Sequence, residues 1–151
     1  NKMGCNFGDE ILEEYFMIAN QHVHVIDEFN EFMDEEIYQM MVATTENQDE
    51  LILENTTTLK VARWWHKACD IIPCNGGKDI GIQKIFDYFN FKKDEALAFG
   101  DGGNDISMLK YVGTGVAMGN AKDNVKAIAD YITDSVQEDG IVSALKHFEI
   151  I

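Results

Sequence analysis

Basic residues and proline are scarce in this sequence of 151 residues. It holds 12 Lys and Arg against 27 Asp and Glu, a net charge of −15, and a single proline. An excess of negative charge repels phosphate backbones and anionic headgroups, so we expect neither nucleic acid nor a membrane as a partner. The low proline content and 46% hydrophobic residues indicate a folded chain rather than a disordered one.

Long hydrophobic runs and paired cysteines are also missing. No apolar run is long enough to span a bilayer and no signal-peptide pattern opens the chain, so we expect a cytoplasmic protein. The three cysteines, Cys5, Cys69 and Cys74, form no Cys-x-x-Cys pair, and their spacing to His66 fits no standard zinc site. We expect reduced, partly buried thiols.

The sequence changes character at Pro73. Residues 1–70 carry 15 acids and 4 bases, a net −11, which includes an acidic block over 27–36 that we assign to a solvated surface. Periodicity and composition predict a small α+β domain over 1–73. Its predicted helices cover 9–20 and 47–54, and its predicted strands cover 22–26, 37–43, 57–65 and 69–73.

Residues 74–151 alternate between strand and helix patterns. Helices are predicted over 78–89, 104–112, 121–130 and 139–148, and strands over 96–99, 115–118 and 131–133. We place Ile80, Ile82, Ile85, Phe86 and Phe89 on the buried side of the first of these helices. The alternation predicts a parallel sheet with helices on its faces, in which ligands bind at the carboxyl ends of the strands.

One stretch, Phe-Gly-Asp-Gly-Gly-Asn-Asp-Ile-Ser-Met-Leu over 99–109, joins a strand to a helix through a glycine-rich turn. Its glycines at 100, 102 and 103 are expected to take positive φ and to let the backbone approach a ligand. Asp101 and Asp105 lie four residues apart, and carboxylates beside exposed backbone amides suit a hard cation that bridges to a phosphate. The alternative is ordinary turn and helix-start chemistry.

Four roles follow from the residue chemistry of this stretch and of Lys78. Asp101, at the strand end, is the candidate ligand for Mg²⁺, because few nitrogen or sulfur ligands are nearby. Asn104 could donate to a phosphate oxygen, and Asp105 could orient either Lys78 or a metal-bound water. Lys78 would supply a positive charge for a phosphate, although a lone lysine at a helix start is more often an ordinary solvated one.

The stretch over 99–109 closely resembles the last motif of the haloacid dehalogenase-like (HAD) phosphatases, in the Cof-type sugar-phosphatase branch. Lys78, in Gly-Gly-Lys-Asp-Ile-Gly over 76–81, lies where that family keeps its motif lysine. Val-Ala-Met-Gly-Asn-Ala over 116–121 and Glu-Asp-Gly-Ile over 138–141 match two more of its signatures. The resemblance extends from about residue 35 to the C-terminus.

The resemblance implies a Rossmann-like α/β core, here its C-terminal half over 74–151, and part of an α+β cap of the C2 type over 1–73. It implies that Asp101 ligates Mg²⁺, that Asn104 and Asp105 contact phosphate and support the lysine, and that Lys78 is catalytic. The implied reaction is hydrolysis of small phosphomonoesters, with sugar phosphates as expected substrates, through an aspartyl-phosphate.

The sequence departs from the family in one respect. No Asp-x-Asp-Gly segment, which carries the family's nucleophile and its general acid/base, occurs upstream of Lys78, and the family's Thr/Ser phosphate motif is missing too. We therefore interpret the chain as a C-terminal fragment, inactive alone, whose partner is the N-terminal half of the same fold. A phosphate- and metal-binding domain without catalysis, or a vestigial site, is the alternative.

The family's cap selects the leaving group, and the candidates here follow one another in a short segment. Arg63 could bind sugar hydroxyls or a second phosphate, and an exposed Trp could stack on a sugar ring. Strand alternation predicts that one of Trp64 and Trp65 faces inward as core. His66 and Asp70 complete the candidate specificity residues.

Overall fold

The computed structural model describes residues 8, 10–18, 25 and 36–151. The chain divides into two compact units, Asn1–Pro73 and Cys74–Ile151. The predicted strand over 22–26 lies outside the described residues apart from residue 25, as does the acidic block over 27–36 apart from residue 36.

The first unit contains a three-stranded antiparallel sheet in the order β1-β3-β2. Its elements are α1 (Glu10–Ile18), β1 (Met40–Ala43), a 3-10 turn (Glu46–Gln48), α2 (Asp49–Leu53), β2 (Leu59–Trp65) and β3 (Ala68–Pro73). The central strand, β3, supplies the buried Ala68, Cys69 and Ile71, while Leu12 and Phe16, four residues apart on one face of α1, are also buried. Three of the predicted strands and both predicted helices are thus present, with β1 shorter than expected.

The two tryptophans do not alternate as predicted. The β2–β3 register shifts between Arg63 and Trp65, so one extra residue of β2 faces its partner strand. Trp64 and Trp65 are both half-buried, and their rings lie nearly parallel, with centroids 6.3 Å apart. The bulge explains the error, because an inserted residue breaks the two-residue period that puts successive side chains on opposite faces.

The second unit is a parallel sheet in the order β4-β5-β6, which confirms the predicted α/β class. Its strands are β4 (Leu97–Gly100), β5 (Thr114–Ala117) and β6 (Tyr131–Ile132), and its helices are α3 (Lys78–Phe89), α4 (Ile106–Tyr111), α5 (Asp123–Lys126) and α6 (Gly140–His147). A core forms between the sheet and α4, around the fully buried Leu109 and Val125. The carboxyl ends of β4 and β5 are therefore held side by side.

Two helices of this unit differ from prediction. The segment over 121–130 forms only the short α5, followed by a turn in which Ile128 and Ala129 still pack on the core. In α3, Ile82 and Phe86 pack on the core, but Ile85 and Phe89 are 53% and 59% exposed. The prediction was wrong for these two because they form a separate stripe that the described sheet does not cover.

Two of the three cysteines lie among the described residues. Cys69 is a buried free thiol and Cys74 is exposed, while Cys5 lies outside the described residues. Burial raises the pKa of the Cys69 thiol, against the opposing charge of Arg63.

Among the helices that the structure describes, none is both long and apolar enough to cross a membrane.

Candidate functional site

The turn after β4 is built around the side chain of Asp105. β4 ends at Gly100, a 3-10 turn covers Gly103–Asp105, and α4 follows at once. A Cβ on Gly100 would lie 2.6 Å from the Cβ of Asp105, so glycine is needed there for close packing. The expected positive φ is wrong for this turn: Gly102 has φ −101°, and Gly77 is the one glycine with positive φ among the described residues.

Asp105 is buried and both of its carboxylate oxygens are engaged. Oδ2 accepts the backbone N–H groups of Asp101 and Gly102, each at 3.0 Å, and Oδ1 accepts a hydrogen bond from Nζ of Lys78. Burial by itself would raise the pKa of Asp105, but the bonds from Lys78 and from the two amides outweigh it and lower that pKa. Asp105 is therefore an ionised anchor for the turn and for Lys78.

Lys78 is the first residue of α3, and its side chain is half-exposed. The preceding Gly77 has φ 125°, a conformation that side-chain-bearing residues rarely adopt, and it lets the chain turn into the helix at this point. An ammonium group has three donors. Since one of them is directed at Asp105, the others can face a ligand in the adjoining cleft.

That cleft has a volume of about 360 Å³ and lies wholly within the second unit. Its lining combines two carboxylates, an ammonium and an amide with apolar side chains: Lys78, Phe99, Gly100, Asp101, Asp105, Met118, Asn120, Val136 and Ile141. The structure thus brings Lys78, Asp101 and Asp105 together. Asn104, half-buried in the 3-10 turn with Oδ1 near Gly102, does not belong to this lining.

Asn120 is a residue of this site to which sequence reasoning assigned no role. Its Nδ2 donates to Oδ2 of Asp101 at 2.9 Å, and its Oδ1 accepts the backbone N–H of Val136 at 3.1 Å. The available signal was its place in the signature over 116–121, just past the end of β5, where ligands of parallel sheets bind.

Asp101 is the centre of the oxygen ligands that the cleft offers to a divalent cation. In the described part of the chain, no group of three or more His, Cys, Asp and Glu side chains could hold a metal ion. Asp105 is committed to its three hydrogen bonds, whereas Asp101 is exposed and accepts a bond only at Oδ2, so Asp101 is the carboxylate of the cleft that can still take a ligand within the described residues. A single carboxylate fits Mg²⁺, which commonly keeps several waters and takes further oxygens from a phosphate.

The candidate specificity residues all belong to the first unit. Arg63 donates to Asp49 through Nε at 3.3 Å and through Nη2, and through Nη1 to the carbonyls of Thr44 at 2.8 Å and Trp65 at 3.3 Å. The hydrogen bond to Asp49 is the main reason that the pKa of Arg63 is raised. These bonds assign Arg63 to holding its own unit together, and a substrate contact by Arg63 stays a prediction.

The neighbouring candidates present a mostly aromatic surface. His66 is exposed and its ring meets that of Trp65 edge-on, with centroids 5.4 Å apart, next to the half-buried Trp64. Asp70 is half-buried in the central strand, opposite Met41 and Ala62. Their role in substrate selection also stays a prediction.

Comparison with known proteins places this chain in a family. A family model described as haloacid dehalogenase-like hydrolase matches residues 7–145. The 5-amino-6-(5-phospho-D-ribitylamino)uracil phosphatase YitU of Bacillus subtilis is 33% identical over 151 residues, covering 95% of this chain and 55% of YitU.

Solved structures give the same result. The HAD subclass IIB sugar phosphatase BT4131 matches with a TM-score of 0.87 and 39% identity, over 95% of this chain and 56% of that one. BT1666 from Bacteroides thetaiotaomicron, a phosphatase of the same superfamily, matches with a TM-score of 0.83 and 35% identity, over 97% of this chain and 55% of that one. The chain spans about half the length of each of these three relatives. It belongs to the haloacid dehalogenase-like hydrolases.

Proposed function

We propose that this chain forms part of a phosphatase that hydrolyses small phosphomonoesters, with sugar phosphates as the substrate class. The observation that carries the proposal is the arrangement of Lys78, Asp105 and Asp101 at the carboxyl end of β4. A cation and an exposed carboxylate beside one cleft can bind a phosphate directly and through a metal ion. The names of YitU and BT4131, both phosphatases, support the same reaction class.

In this proposal each residue has a distinct task. Asp101 holds Mg²⁺, which when bound neutralises phosphate charge and polarises the phosphoryl oxygens. Lys78 places its ammonium against the phosphate and against the charge that develops on it during transfer. Asp105 keeps Lys78 in place through the bond to Oδ1. Asn104 is the proposed donor to a phosphate oxygen.

The nucleophile of the family is not supplied by the printed sequence, which has no Asp-x-Asp-Gly upstream of Lys78. We therefore propose that an N-terminal segment of the same fold provides the nucleophilic aspartate and the general acid/base. The reaction then needs both parts, because the charge stabilisation by Lys78 and Asp101 assists a transfer to an aspartate that lies elsewhere. We also retain a cytoplasmic location as a prediction.

The test is a chimera in which the part of BT4131 that precedes its matched region is joined to residues 1–151. We expect the chain alone to leave p-nitrophenyl phosphate intact, and the chimera to hydrolyse it in the presence of Mg²⁺. Asp101→Ala and Lys78→Ala in the chimera should each lower kcat by about 100-fold or more, as removal of one charge-stabilising group does. Asp87→Ala, an exposed acid on α3, is the matched control and should leave kcat unchanged.

Hydrolysis by the chain alone that disappears in Asp101→Ala would contradict the division of the site between two segments. A folded chimera that binds Mg²⁺ and inorganic phosphate but hydrolyses nothing would instead favour a non-catalytic binding domain. Activity unaffected by Asp101→Ala and Lys78→Ala would remove both residues from the mechanism.

A further inference from the structure

Asn120 connects two segments of the second unit that are distant in sequence. Asp101, at the end of β4, accepts its Nδ2–H at 2.9 Å, and Val136, in the 3-10 turn Val136–Glu138 after β6, donates its N–H to Oδ1 at 3.1 Å. All three residues line the same cleft. The side chain of Asn120 is therefore held at both of its polar atoms.

The bond from Val136 determines which way the amide of Asn120 faces. A backbone N–H can only donate, so the atom of Asn120 next to it must be the oxygen. The nitrogen then faces Oδ2 of Asp101, which accepts its hydrogen bond. A rotation of the amide by 180° would place its N–H donors against the N–H of Val136 and its oxygen against the carboxylate of Asp101. Both contacts are unfavourable, because one pairs two donors and the other pairs two acceptors.

The hydrogen bond from Asn120 distinguishes the two oxygens of Asp101. Oδ2 is engaged by Asn120, whereas within the described residues Oδ1 accepts no hydrogen bond. A carboxylate at the end of a strand can otherwise rotate about two side-chain bonds, and only some of its orientations would present Oδ1 to a ligand. One hydrogen bond to one oxygen removes much of that freedom.

We propose that Asn120 is the positioning residue of Asp101: it holds Oδ2 and leaves Oδ1 as the oxygen that binds a divalent cation. This inference rests on the proposed function, in which Asp101 is the metal ligand. Groups hydrogen-bonded to a metal ligand fix its orientation, and their loss commonly weakens metal affinity by about 10- to 100-fold. Asn120 and Asp101 are both exposed, so the bond contributes to orientation more than to folding.

The experiment uses the chain of 151 residues with Mn²⁺ as a paramagnetic probe. Binding is measured by the broadening of backbone NMR signals near Asp101 during a Mn²⁺ titration. We expect Asp101→Ala to abolish the localised broadening and Asn120→Ala to weaken binding by about 10-fold. Asn124→Ala, which removes the same side chain from an exposed position on α5, should behave as wild type, and all variants should keep the wild-type melting temperature within a few degrees.

A second measurement needs no metal. Three-bond scalar couplings report the χ1 rotamer of Asp101, and we expect one dominant rotamer in wild type and in Asn124→Ala. In Asn120→Ala the couplings should move towards rotamer averaging, because the bond that selects one orientation is gone. A residue that served only folding would not change these couplings in a protein that remains folded.

The outcomes separate the inference from the proposed function. Mn²⁺ binding that depends on Asp101 but is equal in Asn120→Ala and wild type would overturn the inference and leave the proposed metal ligand in place. If wild type shows no binding that depends on Asp101, the metal role itself fails. The couplings then decide the positioning role, which unchanged values in Asn120→Ala would overturn.

Discussion

Each of the two units contains an ion pair between a basic side chain and an aspartate. The more buried member is the cation in the first unit and the aspartate in the second. In the first unit the side chains of Arg63 and Asp49 are 17% and 24% exposed. In the second unit the side chain of Lys78 is 50% exposed and that of Asp105 only 7%. The same charge pairing therefore leaves a cation accessible in one unit and not in the other.

The difference shows what makes an ion pair available to a ligand. Arg63 donates hydrogen bonds to Asp49 and to two backbone carbonyls, so its charge is satisfied within its own unit. Asp105 is satisfied by two amides and Lys78, but the side chain of Lys78 makes no other hydrogen bond in the part of the chain that is described. A pair anchored by a buried anion presents a cation, and that is the arrangement a phosphate requires.

The largest expected effect comes from removing the buried anion. Asp105→Ala leaves the amides of Asp101 and Gly102 and the ammonium of Lys78 without their acceptor. We expect the free energy of unfolding of the second unit to fall by about 3 kcal/mol. Urea unfolding followed by hydrogen exchange of peptides from 97–117 measures this. Both tryptophans lie in the first unit, so tryptophan fluorescence should report an unchanged transition there; equal losses by both probes would contradict the separation of the two networks.

A smaller effect is expected in the first unit. Asp49→Ala removes the carboxylate partner of Arg63 but leaves the carbonyls of Thr44 and Trp65 as acceptors. The urea transition seen by tryptophan fluorescence should correspond to a loss of about 1–2 kcal/mol. Glu50→Ala, an exposed neighbour, is the matched control and should change it by less than about 0.5 kcal/mol. A loss as small for Asp49→Ala would make the pair a surface contact without structural weight.

Protonation of Asp105 at acid pH should lower the stability of the second unit by less than the Asp105→Ala substitution does. The pKa of Asp105 is lower in the folded than in the unfolded chain, so its stabilising contribution is complete above the unfolded pKa of about 4. It disappears as the pH falls through the folded pKa, because protonation removes the charge that Lys78 and the two amides favour. Wild type should lose more stability than Asp105→Asn between pH 5 and the acid limit, in hydrogen exchange of 97–117. Parallel pH profiles would contradict the lowered pKa.

The smallest effect is expected at the hydrogen bond between Ser107 of α4 and Asp79 of α3. Oγ of Ser107 donates to Asp79 at 3.1 Å in an exposed position; Asp79 is one residue from Lys78, and Ser107 is two residues from Asp105. Ser107→Ala should change stability by about 0.5 kcal/mol or less, since an exposed bond is lost while alanine is the better helix former. A loss as large as that of Asp105→Ala, by the same exchange measurement, would move the anchor of the two helices from Asp105 to Ser107.

Local patterns in the sequence determined much of the fold. The helix predicted over 78–89 is observed with those bounds, and the alternation after Pro73 predicted a parallel sheet, which β4, β5 and β6 form. The spacing of Asp101 and Asp105 predicted a carboxylate pair at a strand-to-helix turn. These features could be predicted because periodicity, turn residues and helix starts depend on neighbours a few positions away.

Tertiary structure alone decided how those residues meet. Lys78 reaches Asp105 across 27 positions, and Asn120 reaches Asp101 across 19. The sequence offered either Lys78 or a metal-bound water for Asp105, and it did not indicate that Asp105 is buried while Asp101 is exposed. The exposure of Ile85 was equally hidden, because Ile85 fits the same apolar helix pattern as Ile82, which packs on the core. The physical reason is that hydrogen bonds and burial depend on which surfaces come together in space, and a local pattern contains no information about distance between segments.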